Sequence, residues 1–156
     1  MQICSMALGR GSGHEAGRLL LAQMYREKTG QALPDICVTP RGKPYFPEGS
    51  LHFSISHTKR RVFCALSEKP VGIDAEETDR SIDLRLADKI LSPAERQVYD
   101  AVPDKRVALL RLWVLKEAAA KLSGEGLRGY PNTTDFHPDD PRVTETDGCF
   151  LAVVEE

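Results

Sequence analysis

An α+β fold is what the sequence predicts, on three observations. Short segments of strand-like alternation crowd residues 36–75, helix-forming runs with clear starts and stops dominate from residue 84, and a hairpin signal sits near the end at Asp147-Gly148. Taken in order, residues 2–8 fit a short strand. Residues 14–28 read as a helix with Leu19, Leu20 and Met24 on an apolar face and Gly30 just past its end. Residues 36–39 form a candidate strand, followed by a turn at Arg41-Gly42-Lys43-Pro44. Residues 51–56 alternate cleanly, with Leu51, Phe53 and Ile55 on one face and His52, Ser54 and Ser56 on the other. Residues 62–66 and 71–75 suggest two further strands, and the break between them at Glu68-Lys69-Pro70 divides the chain into halves of about 1–69 and 70–156.

Local signals set the helical half. Residues 84–90 read as one short amphipathic helix. Ser92-Pro93-Ala94-Glu95 combines an N-cap serine, a proline at the first helical position and a glutamate placed for a capping box. Asp104 caps a long helix that runs to about Ser123, where Gly124, Gly126 and Gly129 end it. Residues 143–146 and 150–154 then pair as a hairpin through Asp147-Gly148.

Composition narrows the function classes. The 156 residues suit one compact domain or two small units sharing a core. A net charge of -2 argues against a protein that coats nucleic acid. Cys4, Cys37, Cys64 and Cys149 are scattered without a CxxC pair, which disfavours zinc and fits reduced thiols in a cytoplasmic protein. The start lacks the layout of a signal peptide, and no apolar run approaches the roughly 20 residues needed to span a bilayer. The glycines at 9, 11 and 13 lack both the GxGxxG spacing and a following Lys-Ser/Thr, so they make no phosphate loop.

Three features depart from a plain core. In Val71-Gly72-Ile73-Asp74-Ala75-Glu76, strand parity sets Asp74 and Glu76 side by side. Paired carboxylates repel unless a cation lies between them, and oxygen-only ligands favour a hard ion such as magnesium. An exposed strand end carries the same residues, so the pair alone leaves both readings open. In the long helix, apolar nearly all round, Trp113, Glu117 and Lys121 recur every fourth position and line one face. That stripe is either a bound-ligand face or an internal Glu-Lys pair. Upstream, Lys43 on its turn and Ser56-His57 at a strand's end offer a phosphate cradle, although the Lys59 to Arg61 run also reads as a solvated hairpin tip.

Together these features resemble the 4'-phosphopantetheinyl transferases of the larger, surfactin-synthetase-activating type. That family carries a G-[IV]-D-x-E strand followed downstream by W-x-x-K-E-[AS]-x-x-K. Gly72 to Glu76 and Trp113 to Lys121 match both. Leu91-Ser92-Pro93-Ala94-Glu95, Gly42-Lys43-Pro44, Phe53-Ser54-Ile55-Ser56-His57 and Gly124-Glu125-Gly126-Leu127 match further family elements, in the family's order.

The resemblance implies one transferase domain of two similar lobes, each a small antiparallel sheet packed on helices, with the active site between them. It implies transfer of the 4'-phosphopantetheine group from coenzyme A to a serine of an apo acyl or peptidyl carrier protein, releasing 3',5'-ADP. Asp74, Glu76 and Glu117 would hold Mg2+, with Mn2+ as the alternative. Glu117 and Lys121 would be catalytic, and Lys43, Ser56, His57, Lys116 and Lys121 would bind coenzyme A. A monomer with no nucleic-acid or membrane partner is expected. The first half is shorter than the family norm, and Arg10, Arg18 and Arg41 are the basic residues available for the 3'-phosphate. Arg80, Arg85 and Lys89 with Leu84 and Leu86 offer a docking face for an acidic carrier, or an ordinary helix packed on its own half. Two rival functions are a non-catalytic relative that binds coenzyme A or a carrier, and a metal-dependent phosphohydrolase. The complete charged set disfavours the first; the G-K-P and S-H elements disfavour the second.

Overall fold

Alternation along one central strand sorts the layers of the molecule. Strand β5 (Arg61–Ser67) turns Val62, Cys64 and Leu66 to one side and Phe63 and Ala65 to the other, and all five are buried. The computed structural model describes residues 1–9, 11–126 and 134–156. It covers the first side of β5 with helix α1 (Gly13–Thr29) and the second with another sheet. β5 is the middle strand of a three-stranded antiparallel sheet, between β1 (Gln2–Ala7) and β4 (His52–His57). A two-residue ladder joins β2 (Cys37–Val38) to β3 (Pro44–Tyr45). Their turn needs a left-handed residue, which Gly42 supplies at φ 91.

The second sheet is antiparallel in the order β6 (Val71–Glu77), β8 (Cys149–Glu155), β7 (Val143–Thr146). Val71, Ile73, Ala75, Cys149 and Leu151 meet Phe63 and Ala65 of the first sheet. Phe150, Ala152 and Val154 face the other way, into a core with the long helix α4 (Lys105–Ser123). The layers therefore run α1, first sheet, second sheet, α4. Helices α2 (Ala87–Ile90) and α3 (Pro93–Ala101) supply Ala87, Ile90 and Tyr99 to the α4 core. No described helix is long and apolar enough to cross a membrane.

The helix ends follow the local signals. Ser12 accepts the Glu15 amide, Ser92 and Glu95 form the capping box, and Asp104 accepts the Val107 amide. Gly30 and Gly124 close α1 and α4 in the left-handed conformation. Asp147 and Gly148, at φ 53 and 73, make the tight turn expected between β7 and β8. The expected single helix over 84–90 is instead a 3₁₀ turn (Leu84–Leu86) leading into α2, because the Asp83 carboxylate caps the Arg85 amide at 3.0 Å and tightens the first turn. Arg10, Leu127 and Gly129 lie outside the described residues.

Two contacts fix how the sheets and α4 meet. First, β4 and β6 come together through side chains. The Ile73 amide donates to Ser54 Oγ at 3.0 Å, and the Ala75 amide donates to Ser56 Oγ at 3.2 Å. Residues two apart in a strand share a side, so two serines at that spacing match two amides at that spacing. Second, α4 presses directly onto β6 at Gly72. A Cβ at Gly72 would stand 2.1 Å from the Ala118 carbonyl oxygen and 2.6 Å from the Leu122 nitrogen, both backbone atoms. Gly72→Ala must therefore push α4 away from the sheet. A loss of about 3 kcal/mol in urea-unfolding free energy is expected, the upper range for overpacking; an unchanged midpoint would show that the contact is loose.

Candidate active site

Strand parity and helix spacing converge on one side of the second sheet. Gly72, Asp74 and Glu76 point toward α4, while Ile73 and Ala75 point into the inter-sheet core. On α4, Trp113, Glu117 and Lys121 lie four apart and face them. All five of Asp74, Glu76, Trp113, Glu117 and Lys121 line an open cavity of about 350 Å³, together with Ile55, Ser56 and His57 at the end of β4 and with Arg80.

Each carboxylate has its own surroundings. Asp74 Oδ1 accepts from the Ser56 hydroxyl at 2.9 Å and from Lys121 Nζ at 2.8 Å. Lys121 also donates to the Ile55 carbonyl at 3.3 Å. Glu76 is ion-paired with Arg80. Glu117 forms no hydrogen bond among the described residues. Burial raises its pKa above the ordinary 4.5, the Asp74 charge adds to the rise, and Lys121 and Arg80 pull it back.

This donor set suits a hard divalent cation: three carboxylates on the wall of one cavity, with repulsion between Asp74 and Glu117 that such an ion would relieve. Among the described residues, however, no three potential ligands stand together as a finished set. Asp74 and Glu76 are turned toward Lys121 and Arg80 instead.

A larger cavity of about 420 Å³ adjoins the first, sharing Ile55, His57, Glu117 and Lys121 with it. Its far wall is basic, with His14, Arg18, Arg41 and Lys43, and its floor includes Phe53 and Ala120. A ligand with an apolar body and phosphates fits this lining. His57 sits at the last position of β4, where its ring packs on the start of α1 so closely that a Cβ at Gly13 would stand 2.6 Å from it. Lys43 lays its stem against Gly124 and donates to the Leu122 carbonyl, capping α4. Burial lowers its pKa, with the Glu156 charge opposing.

Of the expected coenzyme A ligands, Lys116 lies outside both cavities, and Ser56 lines the acidic one with its hydroxyl already engaged. Lys116 is 1% exposed, with Nζ 2.8 Å from Glu95 Oε2 and 3.1 Å from the Thr134 carbonyl. One helical step of about 100° separates it from Glu117, which carries it into the core beside α3. Glu95 completes that network by accepting the Ser92 amide at 2.9 Å and the Phe136 amide at 2.8 Å. Ser56 is 5% exposed, and its hydroxyl is committed to Asp74 and the Ala75 amide. It positions the acidic strand, because a strand crossing beside β6 meets that strand's free amides before it meets a ligand.

The structure also brings in residues that the sequence reading missed or placed differently. Arg80, read as part of a docking face, reaches into the acidic cavity. Its spacing of four from Glu76 carried no signal because the segment is a strand end and turn, where such residues need not face each other. Arg85 pairs with Asp83 at 2.6 Å, Leu84 is exposed, and Leu86 packs on the α4 core. Arg41 pairs with Glu125 at 2.8 Å across the rim of the larger cavity; nothing in the sequence announced that partner, 84 positions away.

A strand that presents two carboxylates to a helix stripe of tryptophan, glutamate and lysine defines a known class. Residues 70–151 match the family model of the 4'-phosphopantetheinyl transferase superfamily, and the chain belongs to that superfamily. Among its relatives are the 4'-phosphopantetheinyl transferase psf-1 of Bacillus pumilus, 34% identical over 116 residues, and the 4'-phosphopantetheinyl transferase Sfp of Bacillus subtilis, 37% identical over 89. The 4'-phosphopantetheinyl transferase HetI of a Nostoc species is 35% identical over 95 residues. These matches cover 73%, 55% and 56% of this chain and 46%, 39% and 40% of the relatives, so the chain spans less than half the length of each.

Two measurements check the assignments above. Lys116→Met leaves Glu95 buried without its cation, and an unfolding free energy lower by about 3–5 kcal/mol is expected; full stability would return Lys116 to the cleft. For Glu117, a raised pKa in the folded state means that folding favours the neutral carboxyl. Its contribution is intact below the unfolded value of 4.5 and is lost as pH rises through the folded value. Glu117→Gln should therefore raise the melting temperature near neutral pH, with the advantage vanishing below pH 4.5. A gain that is the same at both pH values would contradict the buried, charge-crowded setting.

Proposed function

We propose that this chain transfers the 4'-phosphopantetheine group of coenzyme A to a serine of an apo acyl or peptidyl carrier protein, as a holo-[acyl-carrier-protein] synthase. The observation that carries this reading is the pair of joined cavities: an acidic one and a basic one, with Glu117 and Lys121 on their common wall. A coenzyme A molecule has both chemistries to satisfy, a diphosphate that needs countercharge and an adenosine end bearing a further phosphate. The names of the relatives support the same reaction. The two sheet-and-helix units would be the family's two lobes, about 1–69 and 70–156, with the donor lying between them in a cytoplasmic, monomeric enzyme.

In this mechanism the basic cavity takes the adenosine end. His57, Arg18 and Arg41 are the nearest candidates for its phosphate, and Lys43 shapes the wall while capping α4. The diphosphate then lies along the shared wall. When bound, Mg2+, or Mn2+ in its place, would be held by Asp74, Glu76 and Glu117 and would screen the negative charge of the diphosphate. The serine Oγ forms a bond to the β-phosphorus as the bond from that phosphorus to the bridging oxygen breaks. The electron pair leaves with 3',5'-ADP. Glu117, on the wall shared by both cavities, is placed to accept the hydroxyl proton, a role that competes with holding the ion tightly. Lys121, held 2.8 Å from Asp74, offsets charge that builds on the departing phosphate. The exposed surface around Leu84 and Lys89, a few residues after Arg80 in the chain, is where an acidic carrier would dock.

Incubation with coenzyme A, magnesium and an apo carrier protein tests the proposal, read as a mass gain on the carrier. Asp74→Ala and Glu117→Ala should each abolish the gain, by at least about 100-fold for loss of a proton-transfer or charge-stabilising group, with unchanged far-ultraviolet circular dichroism. Donor binding without transfer by the unaltered protein would instead mark a binding relative, and phosphate release without a carrier would mark a hydrolase.

A further inference from the structure

Two of the three carboxylates in the acidic cavity are paired with cations, Lys121 and Arg80, which are held differently. Lys121 is anchored twice, on Asp74 at 2.8 Å and on the Ile55 carbonyl at 3.3 Å, and belongs to the buried helix α4. Among the described residues Arg80 has one side-chain partner, Glu76, and its side chain is 43% exposed against 20% for Glu76. The backbone beneath it is fixed. Arg106 of α4 donates to the Thr78 carbonyl at 2.6 Å and to the Arg80 carbonyl at 3.3 Å, and the Arg80 amide donates to the Glu77 carbonyl at 2.9 Å. A pinned turn thus carries a long, half-exposed guanidinium that can swing without moving the chain. Arg80 also lies close enough to Glu117 to lower its pKa.

From this geometry we infer that Arg80 is a resident counter-cation of Glu76, which competes with a divalent ion for that carboxylate and is handed to the diphosphate when the donor binds. The inference rests on the proposed function for the identity of the diphosphate. The divalent ion and Arg80 want the same carboxylate oxygens, so Glu76 becomes a free ligand only when Arg80 has another anion. A diphosphate offers that anion, and a guanidinium binds phosphate oxygens in the same forked geometry as a carboxylate. Binding of the ion and binding of the diphosphate then favour each other, by reciprocal coupling through one side chain. Arg80 is a positioning residue in this scheme, acting through Glu76.

Two titrations without turnover test it. With MnCl2 alone, followed by calorimetry or by the spin resonance of free Mn2+, Arg80→Gln should bind the ion about fivefold more tightly than the unaltered chain, the upper range for releasing a half-exposed ion pair. With inorganic pyrophosphate and a chelator present, the same variant should bind pyrophosphate about fivefold more weakly. Arg80→Lys should restore both values toward those of the unaltered chain, which a loss of fold in Arg80→Gln would not allow. Unchanged or weaker Mn2+ binding in Arg80→Gln, including no binding by either protein, overturns the competition. Unchanged pyrophosphate binding overturns the handover. The carrier-modification assay reads the underlying function separately: transfer by the unaltered chain with no exchange in Arg80→Gln defeats this inference alone.

Discussion

Helix α4 can reach the acidic strand because nothing but a hydrogen projects from position 72. The Ala118 carbonyl and the Leu122 nitrogen occupy the space that any side chain there would need. That approach sets the height of the helix over the sheet, and the height sets everything facing the cleft. Lys121 meets Asp74 at 2.8 Å only at this separation, and Glu117 is buried enough to feel its neighbours. The glycine of the G-I-D-A-E segment is therefore a spacer, and the chemistry two and four residues later depends on it.

The site tolerates three carboxylates by distributing their partners. Asp74 is held by a hydroxyl and an ammonium, Glu76 by a guanidinium, and Glu117 by none of these among the described residues. The unequal treatment is useful. A fully paired glutamate would have no reason to take a proton, whereas one left crowded and half-buried has its affinity for protons raised. Away from the cleft, the opposite solution appears at Glu95, whose two oxygens accept from Ser92, Phe136 and Lys116 in a nearly dry setting. That network ties α3, α4 and the segment entering the final hairpin into one unit, so the helix bearing the stripe does not rotate.

Local signals were readable from the sequence and relational ones were not. Ser92, Asp104 and Gly124 end or start helices through contacts within one turn, and each was visible as such. Parity along 71–77 put Asp74 and Glu76 on one face, and the fourfold stripe on α4 answered it. Lys121 was placed on that stripe and Lys116 off it, but a helix that is apolar all round does not reveal whether a charge off the stripe looks into the core or toward a ligand. The Arg41–Glu125 and Arg80–Glu76 pairs depend on where loops come to rest, a matter that spacing does not encode. Ser54 and Ser56 were correctly placed on one face of β4, yet what lay across from that face was invisible until β6 was seen beside it.

That seam has a consequence for how the molecule tolerates change. Ordinary strands neighbour each other through main-chain groups, which every residue but proline supplies, so almost any sequence can be exchanged there. Here two amides of β6 depend on hydroxyl oxygens contributed by particular side chains. Exchange of either serine for alanine would strand a buried donor, and exchange for anything bulky would wedge the sheets apart. Threonine is the one common replacement that keeps the acceptor, and it brings an extra methyl. Variation at 54 and 56 is thus confined by a main chain that belongs to a different sheet.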